Sequence, residues 1–215
     1  MVGGRGKGSL VGWISRIFSR RPAPLLPEFP GSPDQPQGFG YKCAWLAVRA
    51  SEPEVVAKAL ELKNVRPATW PEGLATAYGS ATALFVTPVL DGWVLAAGAA
   101  GFPDGAQDLS EATRKLSASL TTVSFGFATH RVVELQSWVR ADRGQVVRAF
   151  SFLGESGETL LDVGPRLPEE AGIDFDLDLP NVSENDVIRL AGAWSIDPTT
   201  LSTHAPTPPG LVGEL

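Results

Sequence analysis

Val132-Val-Glu-Leu-Gln-Ser-Trp-Val-Arg140, Ala141-Asp-Arg-Gly144 and Gln145-Val-Val-Arg-Ala-Phe-Ser-Phe152 are consecutive, and together they decide the fold. The two outer runs are rich in β-branched and aromatic residues. The four residues between them include Gly144, which tolerates positive φ, so the stretch predicts a β-hairpin. Period-two alternation continues on both sides. Val123, Phe125 and Phe127 alternate before it, and Gly154-Glu155-Ser156-Gly157 turns into a further run from Thr159 to Val163 after it. Upstream, Cys43 to Val48 reads as a strand. Leu84–Thr87 and Trp93–Ala97 read as two more, joined across Pro88 to Gly92.

Helical spacing fills the intervals. Ser51 with Glu54 has the capping-box pattern ahead of Val55, Ala59 and Leu62. Leu109, Ala112, Leu116 and Leu120 recur behind a possible Asp108 cap. Ser183 with Asp186 precedes Val187, Leu190 and Trp194. Pro67, Pro71, Gly73 and Gly79 make 66–80 an irregular segment. The prolines from Pro198 onward make the C-terminus a loose tail. Strands in succession with interspersed helices predict an α+β fold, a single mostly antiparallel sheet with helices packed on one face.

The expected organisation is a leader and linker over 1–40, an α+β globular domain over 41–200 and a proline-rich tail over 201–215. Within the leader, Leu10, Ile14, Ile17 and Phe18 fall on one helical side and Ser15, Arg16, Ser19 and Arg20 on the other. Pro22, Pro24, Pro27, Pro30, Pro33 and Pro36 then favour an extended tether.

Net charge is −6, unevenly spread. Residues 1–24 carry five cations and no acid. Residues 151–215 carry twelve acids against Arg166 and Arg189. This argues against nucleic-acid binding through the folded domain, where clustered cations would be needed. Apolar residues at 43% and six tryptophans suffice for a core. The one cysteine, Cys43, suits a buried strand thiol in a reducing, cytoplasmic compartment. The longest apolar stretch, 81–102, is broken by Pro88 and Asp91-Gly92, so no membrane span is expected.

The chemistry-bearing residues are sparse. Two histidines and one cysteine cannot assemble a zinc site of the usual kind, and no metal or other cofactor is expected. Gly3-Gly-Arg-Gly-Lys-Gly8 lacks the Ser or Thr that follows the lysine of a phosphate loop. His130 and Glu134 are the candidate catalytic pair, because a carboxylate can orient an imidazole for acid–base work. A structural histidine is the stronger expectation.

Ile173-Asp-Phe-Asp-Leu-Asp-Leu179 is the most unusual pattern. If extended, it puts Asp174, Asp176 and Asp178 on one side, roughly 6–7 Å apart. Such a strip suits a phosphate mimic or a docking surface for a basic protein. An edge strand protected by charge is the plainer alternative. Together with Glu169 and Glu170 these aspartates are the candidate partner-binding residues. A second candidate surface is the leader, where Trp13, Ile14, Arg16, Ile17, Phe18, Arg20 and Arg21 could lie on an anionic membrane or dock a partner.

Asp91-Gly-Trp-Val-Leu-Ala-Ala-Gly98, Phe127-Ala-Thr-His-Arg-Val132, Arg148-Ala-Phe-Ser-Phe-Leu-Gly-Glu155 and Ala191-Gly-Ala-Trp-Ser-Ile-Asp-Pro198 resemble small uncharacterised bacterial cytosolic proteins over about 41–201. The general style is similar to immunity-type proteins encoded beside toxins. The resemblance implies no activity or site residues. The expectation is a non-catalytic protein-binding module, an immunity-type inhibitor of a basic partner. An enzyme with a pocket at His130 and a peripheral membrane or assembly component are the alternatives.

Overall fold

The computed structural model describes residues 33–98, 106–175 and 180–215. The leader positions Trp13 to Arg21, like Asp176 and Asp178, lie outside these residues. Among the described residues nine strands form one sheet, with β1 at Cys43–Arg49, β2 at Lys63–Ala68, β3 at Ala83–Val86, β4 at Trp93–Gly98 and β5 at Val123–His130. β6 at Leu135–Asp142, β7 at Gln145–Leu153, β8 at Glu158–Val163 and β9 at Gly210–Glu214 complete it. The order is β2-β9-β3-β4-β1-β5-β6-β7-β8, and every neighbouring pair is antiparallel. The described residues also hold four α-helices: α1 (Pro53–Ala59), α2 (Trp70–Gly79), α3 (Ala106–Leu120) and α4 (Glu184–Trp194). This is the α+β class and the single antiparallel sheet expected.

The deciding hairpin is present as β6 and β7, and its turn is tighter than the sequence suggested. Asp142 pairs with Gln145, leaving Arg143 and Gly144 at φ 44° and 83°. Asp91 and Gly92, at 49° and 80°, join β3 to β4 in the same way, inside a Leu90–Trp93 bridge. Positive φ at both central positions matches the right-handed twist of the flanking strands.

Helices cover both faces of the sheet rather than the single face expected. Along β1, Cys43, Trp45 and Ala47 join one core with Trp70 and Leu74 of α2 and with Val187, Leu190 and Trp194 of α4. Ala44, Leu46 and Val48 join a second core with Val56 of α1 and Leu109 and Leu116 of α3. The physical reason lies in β1, β3 and β4, which are buried at nearly every position and so have no solvent face. Aromatic rings dominate the first core. Trp45 stacks on Phe127 at 5.3 Å, and the Trp194 ring centroid is 5.5 Å from that of Phe125.

Three further expectations are corrected. Segment 66–80 is not irregular: it holds the end of β2 and all of α2, because Pro71 falls in the first helical turn, where its missing amide costs nothing. Gly73 is selected by packing, since a Cβ there would lie 2.1 Å from the Phe85 ring. The first helix begins at Pro53 behind Glu52, so Ser51 and Glu54 form no capping box. The tail is not loose: Gly210–Glu214 inserts between β2 and β3.

The described part of the linker also belongs to the body. Asp34 and Thr207 exchange backbone hydrogen bonds at 2.9 and 3.0 Å, and the Phe39 amide donates to Pro198 O at 2.9 Å. Gln35 Nε2 donates to the carbonyls of Ser202 and His204. Phe39 is buried against Trp45. Residues 33–39 therefore form a strap clamped against the C-terminal segment. The Pro-rich composition concealed this, because extended conformation is equally suited to a tether and to a strap.

Candidate functional site

The acidic segment after β8 is anchored by a buried ion pair. Arg148 of β7 is fully buried and shares its sheet face with Phe150 and Phe152. Its Nε donates to both Glu170 carboxylate oxygens at 2.9 and 3.0 Å. Its Nη1 donates to Asp162 and to the carbonyls of Ala149 and Val163. Glu170, in a 3-10 turn at Pro168–Glu170, also accepts from Trp138 Nε1 at 2.8 Å and from the Leu167 amide at 2.6 Å. Pairing of this kind is what makes a buried charge tolerable, although Arg148 Nη2 itself is buried with no hydrogen-bond partner. Glu170 is thus consumed internally and, at 2% exposure, is not a docking residue as the sequence suggested.

From this anchor the chain alternates as the sequence implied, as far as it is described. Ile173 and Phe175 are buried and Asp174 is exposed. Phe175 packs on Phe150 at 5.0 Å and lies beneath the Arg166 guanidinium at 4.2 Å. Asp174 pairs with Asn181 in an isolated antiparallel bridge outside the named strands of the sheet. The sheet edge on this side is β8.

Glu169 is half-buried, and its carbonyl accepts from Arg189 Nη1 at 2.8 Å. α4 opens with the expected Ser183–Asp186 capping box, the Asp186 carboxylate accepting from the Ser183 amide at 2.9 Å. The two arginines of this region are engaged locally, Arg189 with Asp186 and Glu169, and Arg166 with Phe175. Glu155, Glu158 and Asp174 face solvent.

The catalytic candidates fare differently. His130 ends β5 and is 5% exposed, and burial, aided by the positive charge of Lys42, holds its imidazole below the ordinary value. Glu134 lies in the following turn at φ 52°, with its carboxylate against Gly154, so strand alternation does not relate the two residues. Cys43 is buried and its thiol is pushed up to about 12 by desolvation, which makes it a poor nucleophile. Tyr78, whose hydroxyl donates to Tyr41 O at 3.0 Å, is likewise raised by burial.

Among the described residues, no cluster of three or more His, Cys, Asp or Glu is arranged to hold a metal ion. No described helix is long and apolar enough to cross a membrane. An open groove of about 560 Å³ lies between α1 and α3, lined by Ala59, Leu60, Asp108, Glu111, Ala112 and Leu215 among others. Its rim carries charges of both signs, including Lys63 and Lys115.

Sequence reasoning missed Arg148 and Asp34. Arg148 left a signal, a charge on the apolar side of an alternating strand. Asp34 left none, because its carboxylate accepts the Trp70 amide from 36 residues away. No protein-family model matches the chain, and neither the curated proteins nor the solved structures include one similar to it.

Proposed function

We propose that this chain is a non-catalytic protein-binding module, acting in the cytoplasm, that engages a basic partner through the acidic surface of residues 155–186. An inhibitor of the immunity type fits this reading. The observation that carries it is the held loop: Arg148, Trp138 and the Leu167 amide fix Glu170, the apolar side chains Ile173 and Phe175 anchor the backbone, and Asp174 is left facing solvent. A pre-ordered acidic surface loses little conformational entropy on binding and attracts a cationic partner at long range.

The inert Cys43 thiol and the depressed, buried His130 favour binding over nucleophilic or acid–base chemistry. The test replaces Asp174, Asp176 and Asp178 together by lysine and compares capture of host proteins with that of the unmodified chain. The reading expects a basic protein retained by the original chain, released by salt and absent from the variant. Equal retention by both sinks it.

A further inference from the structure

We infer that residues 33–39 are an exchangeable strap: two copies of this chain can each seat the strap against the other's C-terminal segment. Most of the contacts that hold it are made to distant parts of the chain, and one, Phe39 on Trp45, crosses the hinge to β1. Asp34 pairs with Thr207 through the backbone and accepts the Trp70 amide at 2.7 Å. Gln35 binds two carbonyls of the C-terminal segment, and Phe39 binds Pro198 O and packs edge-on against Trp45. Gly38 lies so close to that segment that a Cβ would be 2.5 Å from Thr199 O. None of these contacts depends on the covalent link between strap and sheet, so a second copy's strap can make every one of them.

The link itself is under strain. Gly40 is at φ 117° and Lys42 at 53°, just before β1 begins at Cys43. Glycine takes such a φ freely, but for lysine the left-handed conformation is worth about a tenfold penalty. Extending the hinge releases Lys42. It also breaks the hydrogen bonds that Thr129 Oγ1 and Tyr78 OH donate to the Gly40 and Tyr41 carbonyls. Together the two are worth about tenfold at the lower end of their range, which suits the solvent-exposed Tyr78 bond, so the two effects roughly cancel. The closed and exchanged forms then differ mainly in tethering. The dimer should dissociate near the strap's effective concentration, on the order of millimolar. A strained hinge beside a short docked segment is the arrangement that invites such exchange.

Sedimentation of the full chain across about 1 µM to 1 mM tests this, with Lys42→Ile and Lys42→Gly beside the wild type. A β-branched residue raises the hinge cost only in the closed monomer, about tenfold per copy and therefore about a hundredfold per dimer. The expected order of dimer affinity is Lys42→Ile, then wild type, then Lys42→Gly. Adding Gly38→Val to Lys42→Ile, which blocks seating of the strap in either copy, is expected to restore the monomer while near-UV dichroism confirms a folded chain. A Lys42→Ile protein that stays monomeric throughout, or whose dimer is unaffected by Gly38→Val, overturns the proposal. Should Lys42→Ile not fold, wild type against Lys42→Gly at millimolar concentration decides, and equal association of the two overturns it.

Discussion

Asp34 shows how one side chain can tie a distant segment to a helix. Its carboxylate caps α2 by accepting the Trp70 amide, yet burial holds its pKa above the ordinary aspartate value, with the amide only partly offsetting this. A raised carboxylate contributes stability below the unfolded pKa of about 4, and that contribution is lost as pH rises through the folded value. Asp34→Asn keeps an acceptor and removes the charge, so at neutral pH it is expected to equal or exceed the wild type in chemical denaturation. Asp34→Ala is expected to lose about 0.5–2 kcal/mol, the range for a lost helix cap.

His130 has the opposite sign. Its depressed pKa means that stability is complete above about pH 6.5 and falls as pH drops below it. His130→Gln is expected to flatten that dependence in urea midpoints measured from pH 7.5 to 5. At this scale the sequence was partly legible. Arg148 interrupts an apolar face and could have announced a buried partner, but nothing local to Glu170 distinguishes it in the sequence from its half-buried neighbour Glu169.

At the scale of elements, local pattern sufficed where the pairing was local. The β3–β4 and β6–β7 hairpins, the body of α3 and the α4 cap lie where periodicity and turn chemistry put them, but Asp108 is inside the first turn of α3 and not its cap. It failed where a segment's conformation is set from far away. β9 is five residues with two glycines, yet Gly210 pairs with Ala68, and Leu211 pairs with both Pro67 and Val86. The same holds for α2, whose Gly73 makes sense only against Phe85. Because β9 joins β2 to β3, deleting 210–215 strips the central sheet of two ladders and the buried Leu211 and Val212. The expected loss exceeds about 5 kcal/mol, the lower end of a domain's whole stability. Near-UV dichroism of the truncated chain is expected to show no native signal, and a native spectrum would refute this account of the sheet.

For the whole molecule, the uneven charge visible in the sequence becomes a surface. The C-terminal third contributes Glu170, held by the buried Arg148, with Asp174 exposed four residues beyond it. Its own two arginines are engaged locally, Arg189 with Asp186 and Arg166 with Phe175, while Glu155, Glu158 and Asp174 face solvent. The class of fold was legible from alternation, whereas coverage of both faces was legible only in the unbroken apolar character of β1, β3 and β4.

The central claim, a pre-ordered acidic docking surface, is tested most directly by titrating the isotope-labelled full chain with a lysine-rich peptide at low and high salt. The expected result is a set of amide shifts concentrated at Glu155, Glu158, Glu169 and Asp174. They should weaken with salt and disappear when Asp174, Asp176 and Asp178 are replaced by lysine. Shifts spread evenly over the chain, or binding that survives that replacement, would contradict it.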